Sequence, residues 1–349
     1  MDKPIEIRTA PHLKRPQSVD QIMRNGVYAL IPVALFAVWQ FGISALALIV
    51  TTTLVAMLTE RFFSALAGRG NTLTDWSVVI TGMLLALTLP PGFPLWMAAV
   101  AAFIGVALGK ALFGGLGFNV MNPALVGRAF VQAAFPVAIT TWTPAFGPGR
   151  FTEFIPSTLA MPFMKPESVI PWIEALNIDG FTGATPLAMQ KFQQISTSST
   201  DLLFGNVVGS TGEASALLIL LGGLYLTFRR MLDWRIPVGV FLGAALVAAP
   251  LWLMDGAQYP SPIFVFLSGG LMLGAWFMAS DMVASPVTPL GALIYGALIG
   301  VLTVVIRLFG GLPEGVMYAI LLANAASPLI AAWTQPRVYG ETKRQEGGA

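Results

Sequence analysis

The sequence predicts an all-α integral membrane protein: about ten transmembrane helices, arranged as two inverted five-helix repeats with one long external loop. Three observations carry that expectation. Hydrophobic residues make up 56% of the 349 residues and charged residues only 10%, against roughly 25% charged in a soluble domain. Several apolar runs approach the ~20 residues that a helix needs to cross a bilayer. A pentapeptide also recurs across the chain at an interval of 196 residues.

The expected spans are 25–40, 42–59, 76–90, 94–111, 119–138, 213–228, 236–254, 261–280, 289–307 and 315–334. The first two meet at Phe41-Gly42 and are short. The third closes on Pro90-Pro91-Gly92-Phe93-Pro94, a rigid reversal. The fifth contains Asn119, Asn122, Pro123, Arg128 and Gln132. That is too polar to face lipid, so it is expected as a broken or buried helix lining a protein interior. The chain therefore divides into a cytoplasmic tail (1–24), a first membrane repeat (25–138), an external loop (139–212), a second membrane repeat (213–334) and a cytoplasmic tail (335–349). Residues 1–25 are polar and basic, and the apolar stretch after them is longer than the core of a signal peptide.

Lys and Arg set the orientation. With the N-terminus inside, fourteen of the 19 fall on the cytoplasmic side. Four fall outside, namely Arg150, Lys165, Lys191 and Arg307, and Arg128 lies within a span. Both termini are expected in the cytoplasm. Trp39, Trp76, Trp96, Trp234, Trp252 and Trp333 stand near span ends, as an interfacial belt would have them. The repeat is Leu112-Phe113-Gly114-Gly115-Leu116 against Leu308-Phe309-Gly310-Gly311-Leu312. Val120-Met121 with Val316-Met317, and Pro90 with Pro286, keep the same offset. Each pentapeptide joins the last two spans of a five-span half. The expected topology puts the first inside and the second outside, which makes the repeat inverted, an architecture common among transporters.

Composition also excludes. There is no cysteine, so the chain supplies no thiolates to an iron–sulfur cluster and forms no disulfide. A single histidine, His12, rules out a haem held by two histidines of this chain. The basic residues lie in short clusters beside apolar runs, which gives nucleic-acid binding no support. Neither a metal-ligand cluster nor a hydrolase triad is visible. A redox role would therefore need an organic cofactor.

Within the 139–212 loop lies Asp179-Gly180-Phe181-Thr182-Gly183-Ala184-Thr185-Pro186-Leu187. Glycines around a hydroxyl permit tight turns and close backbone approach. Thr185 offers Oγ1 to a flavin phosphate, Asp179 can bind metal or orient the loop during the transfer, and Pro186 fixes the exit of the chain. The competing reading is a turn in which Thr182 and Thr185 only bond locally to backbone. A second short helix is expected around 168–176.

On these residues the sequence resembles the flavinylated membrane components of two related bacterial respiratory complexes. These are the D component of the Rnf ferredoxin–NAD oxidoreductase and the B component of the sodium-pumping NADH–quinone oxidoreductase. The ten spans, Asn122–Ala124, the loop motif and Ser280-Asp281…Ser285-Pro286 carry the likeness over nearly the whole chain. The short tail before the first span points to the Rnf component. The resemblance implies a urea-transporter-like inverted repeat in a bacterial inner membrane. It implies FMN bound through a phosphoester to Thr185, installed outside the cytoplasm by a separate flavin transferase. Thr182 stands where the motif often has Ser. A non-covalent riboflavin and the other subunits of the complex are implied as well. The chain would then be an electron-transfer subunit of an ion-translocating assembly, with no complete active site of its own. The alternatives are a solute channel or transporter on the same scaffold, and an assembly scaffold whose flavin loop is vestigial.

Other polar residues have their own expectations. Arg128, four residues before Gln132 on one helical face, is a candidate for the flavin phosphate or isoalloxazine, the alternative being a pairing with a helix C-terminus. Asn119 and Asn122 are expected to satisfy backbone freed by Pro123, and Asp281 to sit at the membrane interface or cap a helix, with a place in an ion pathway as the alternative. Glu314 fits a helix N-terminus. Lys110 and Arg307 read as interfacial anchors with snorkelling stems.

Overall fold

The computed structural model describes residues 18–68, 70, 73–164, 166–175, 183–213, 215–256 and 258–336. Among them every regular element is helical. Five helices are long and apolar enough to cross a membrane: α1 (Val19–Phe41), α2 (Ile43–Leu66), α11 (Arg235–Met254), α14 (Pro289–Phe309) and α15 (Val316–Thr334). This is a membrane protein by composition, helix length and apolar surface.

The first two helices are not short, as expected from sequence, but 23 and 24 residues long. Ser18 caps α1 by accepting from the amide of Gln21, and Asp20 pairs with Arg24 on the same helix at 2.9 Å. Capping and an i,i+4 ion pair carry the helix a turn and more past the end of its apolar run. The turn at Gly42 needs its positive φ of 72°, and a Cβ there would lie 1.8 Å from the carbonyl oxygen of Arg150.

Between α2 and α11 come α3 (Ser77–Thr88), α4 (Leu95–Val106) with a π-helical extension (Ala107–Ala111), α5 (Pro123–Ala134) and α6 (Pro136–Ile139). Then follow the short α7 (Ile170–Ala175), α8 (Pro186–Gln193) and α9 (Ser199–Phe204), and α10 (Ala216–Phe228). Nine of the twelve residues of α3 are buried. A helix apolar on all sides belongs in the interior, which is why α3 can be shorter than the bilayer is thick. Gly82 lets it touch α2: a Cβ would sit 2.5 Å from Thr53 Cα.

The fifth expected span is broken, as foreseen. Its 119–122 segment is not helical, α5 starts at Pro123 with Asn122 as its cap, and the chain breaks again at Phe135 before α6. The eighth span, expected as one helix, is also broken. It consists of α12 (Pro262–Leu267), a bend at Ser268-Gly269-Gly270, α13 (Leu271–Leu273) and a second π-helical stretch (Gly274–Met278). Gly269 takes φ of 62° there, a conformation that ends a helix.

Packing follows small residues. α11 and α14 meet along Gly239, Gly243, Gly296 and Gly300, where a Cβ on any of them would come within 2.1–2.6 Å of the facing backbone. Both seams read Gly-x-x-x-Gly, the pattern that brings membrane helices into backbone contact. α4 packs on α2 and α5, and α14 on α15.

The 140–212 segment is tied to helix ends rather than hanging free. Arg150 donates to the carbonyl of Trp39 and accepts, at its own carbonyl, from the amide of Ile43. The amide of Ile155 donates to Ser44 Oγ, and Thr211 and Gly212 donate to the carbonyls of Leu89 and Leu87. Gln40 donates to the carbonyl of Gly205 at 2.8 Å.

Candidate functional site

Thr185 is the N-cap of α8. Its backbone is extended (φ −74°, ψ 159°), and its Oγ1 accepts from the amide of Ala188 at 3.3 Å. Pro186 occupies the first helical position, where a missing N–H costs nothing. Gly183 takes φ of 69° just before it, the freedom expected of that glycine. Ala184 links the two without helical structure. Asp179 and Thr182, the other motif residues, lie outside the described residues. The sequence signal thus coincides with a helix start at which one threonine oxygen faces the positive end of a short helix.

Beneath α8 lies a small apolar core of Leu187, Leu202 and Phe264, joining α8, α9 and α12. Leu187 settles on the bend: a Cβ at Gly269 would be 2.4 Å from its Cδ1. In the last turn of α8, Lys191 donates from Nζ to the carbonyls of Arg307 (2.8 Å), Leu312 (3.2 Å) and Gly310. Burial pushes the Lys191 ammonium below its ordinary pKa.

Arg307 is not an interfacial anchor, as expected from sequence, but 4% exposed. It donates to the carbonyls of Val265 (2.9 Å) and Ser268 (3.1 Å) and pairs with Glu314 at 3.3 Å. Glu314 therefore serves the bend rather than its own helix: its other oxygen accepts from the amide of Gly270 at 3.2 Å. The cause is the broken helix, whose loose carbonyls and amide need partners inside the protein.

Arg128 is buried in α5, and its Nε has no hydrogen-bond partner among the described residues. It lines a small cavity with Thr88, Ser210, Gly270 and Glu314. Arg128 thus shares a cavity with Gly270 of the bend, and the Thr185 helix meets the bend at Gly269 through Leu187.

At the opposite end of α3, Lys110 is also buried rather than snorkelling. Its ammonium donates to both oxygens of Glu60 at 2.8 Å and to Ser77 Oγ at 2.6 Å, and the Ser77 hydroxyl donates to Asp75 at 2.6 Å. The π-helical stretch that carries Lys110 is the kind of distortion that recurs at functional sites. Beside it opens a cleft lined by Lys110, Asn119, Asn122, Trp276, Phe277 and Asp281. Asn119 donates to Asp281 at 3.0 Å, and Asn122 donates to the carbonyl of Met278 at 3.1 Å while its oxygen caps α5. Asn122 does the backbone work expected of it. Asn119 also donates to a main-chain carbonyl, that of Met121 at 3.4 Å, and reaches across 162 positions to Asp281 as well.

Residues 6–340 match the NQR2, RnfD, RnfE family. The chain belongs to this family. Three curated relatives are of nearly equal length, and each is the D component of its complex. That of the proton-translocating ferredoxin:NAD(+) oxidoreductase complex of Clostridium ljungdahlii is 38% identical, covering 96% of each chain. That of the Na(+)-translocating ferredoxin:NAD(+) oxidoreductase complex of Acetobacterium woodii is 39% identical, covering 97% of this chain and 96% of that one. That of the ion-translocating oxidoreductase complex of Alcanivorax borkumensis is 37% identical over 97% and 98%. Two NQR2, RnfD, RnfE relatives at nearly the same distance are thus named for different ions.

Sequence reasoning missed Lys191, Glu60 and the Arg307–Glu314 pair. The last had a signal: a cation in the final turn of one helix, seven residues before an anion ahead of the next. Lys110 and Glu60 are 50 residues apart and carried none.

Proposed function

We propose that this chain is the membrane electron-transfer subunit of an ion-translocating ferredoxin–NAD oxidoreductase, carrying FMN on Thr185 through a phosphoester to Oγ1. The family and the names of its near-full-length relatives support the assembly. The observation that supports the attachment is the bonding of Thr185. Among the described residues its Oγ1 accepts one hydrogen bond and donates none, so exchanging its proton for the flavin phosphoryl group of an activated flavin nucleotide, whose phosphate–leaving-group bond breaks as the new ester forms, disrupts no hydrogen bond. The phosphate would lie at the positive end of α8, where an anion is favoured. When bound, FMN supplies reversible electron uptake and release. The residues of the chain hold it: Gly183 turns the backbone, Thr185 tethers, and α8 docks the tether. Thr185 is 6% exposed, so a flavin transferase needs a local opening to reach Oγ1. Arg128, whose buried Nε has no hydrogen-bond partner among the described residues, is the candidate for stabilising flavin charge.

The riboflavin that the family resemblance implies requires aromatic walls and polar partners. The cleft between α1, α3 and the broken eighth element offers Trp276, whose buried Nε1 has no partner among the described residues, with Asn119 and Asn122 beside it.

The architecture that goes with this reading is two inverted five-helix repeats in the bacterial inner membrane, with both termini cytoplasmic and the flavin loop periplasmic. In support, the 140–212 segment bonds to the α1–α2 turn, to the end of α3 and to the end of α14. All three are outward-facing ends if α1 starts inside.

Mass spectrometry tests the attachment. The complex is purified from cells with the native flavin transferase, beside Thr185→Val. The expected result is an increment of FMN minus water on the Thr185 peptide, absent in an assembled variant. Unmodified Thr185 in fully processed complex would sink the proposal and make solute flux the next assay.

A further inference from the structure

Lys191 lies six residues past Thr185, roughly 9 Å along a helix axis at 1.5 Å per residue. An ammonium has three protons to donate. Here the partners are three main-chain carbonyls at the end of α14: Arg307, Gly310 and Leu312. No carboxylate among the described residues pairs with it. A helix leaves its last carbonyls without amide partners, and the partial negative charge there suits a cation. That same chain end is fixed in turn by Arg307, held on the carbonyls of Val265 and Ser268 and on Glu314. One turn before Lys191, Leu187 rests on Gly269. An eight-residue helix does not hold itself in water, so its place depends on these two attachments.

We propose that Lys191 is a positioning residue for electron transfer: it fixes the helix that bears the Thr185 flavin against the end of α14. This rests on flavin attachment at Thr185. A carrier tethered through one flexible ester is only as well placed as the residue it hangs from, and transfer between carriers depends on separation and orientation. Lys191 does not touch the reacting ring. It acts through α8, and its three bonds define both the distance and the rotation of that helix on α14. Arginine keeps the charge and several N–H donors in a longer side chain. Methionine keeps the apolar stem and loses every donor.

The test uses the full chain, flavinylated in cells and reconstituted in nanodiscs, and the whole complex for transfer rates. Wild type, Lys191→Met and Lys191→Arg are compared, with Thr185→Val as the fluorescence background. Three quantities are read: flavin mass on the Thr185 peptide, fluorescence anisotropy of the attached flavin, and ferredoxin-to-NAD electron transfer. Lys191→Met is expected to keep its flavin, to lose about half of the anisotropy and to slow transfer about tenfold. Lys191→Arg is expected to recover most of both. Flavinylated Lys191→Met with wild-type anisotropy and transfer would overturn the proposal. So would an arginine variant no better than methionine. If Lys191→Met does not accumulate, Lys191→Gln, with two donors and no charge, must fall below Lys191→Arg in anisotropy of the attached flavin, and a wild-type value overturns the idea. Absence of flavin from wild type would instead remove the attachment itself.

Discussion

Burying the Glu60–Lys110 pair strips water from both ions, and among the described residues their mutual contact and the Ser77 hydroxyl replace it. Such a pair adds little net stability over an apolar pair of the same shape, but losing one member leaves a lone buried charge. Lys110→Met should therefore destabilise the protein by about 3–5 kcal/mol, and Glu60→Leu combined with Lys110→Met should restore most of it. Thermal unfolding in detergent reads both. Equal melting temperatures for the single and double variants would mean that the carboxylate finds water when Lys110 is gone. The same residues mark what a sequence can and cannot convey. A lysine near the end of an apolar run looks like a surface anchor, because the run says where the helix stops but not what it leans on. The turn and helix start at Thr185 were legible because their geometry is local: a cap, a proline and a left-handed glycine within four residues. The docking cation and the Arg307–Glu314 pair join separate elements, and no local rule brings them together.

Among the elements, spans were visible wherever the apolar run matched helix length, as in α11, α14 and α15. Boundaries slipped where caps extended a helix, as at Ser18. The break in the eighth element was missed because small residues such as Ser268-Gly269-Gly270 are also common inside continuous membrane helices, and the bend shows only in Gly269's backbone and in the partners it needs. The α11–α14 seam offers a test. A Cβ at Gly300 would lie 2.1 Å from the carbonyl oxygen of Val240, whereas one at Gly311 would meet nothing within 4 Å. Gly300→Val should cost about 1–3 kcal/mol or more through overpacking, visible as a lower melting temperature, while Gly311→Ala leaves it unchanged. A Gly300→Val protein with normal melting would show that the two helices are not in backbone contact.

For the molecule as a whole, the cysteine-free chain makes topology directly measurable. Ser196 and Gln335 are both exposed, between α8 and α9 and after α15. A membrane-impermeant maleimide on intact spheroplasts should label Ser196→Cys and spare Gln335→Cys until the membrane is opened. The reverse pattern would invert the whole orientation, and with it the side on which flavin is attached.

The glycine seam has a mechanical consequence. Two helices in backbone contact have no side-chain layer to compress between them, so they move as one bar. One edge of that bar, at Leu242 and Leu246 on α11, is exposed. Its tip, at the end of α14, is the anvil on which Lys191 rests. A neighbour pressing on α11 would therefore deliver its push, undamped, to the helix that begins at Thr185.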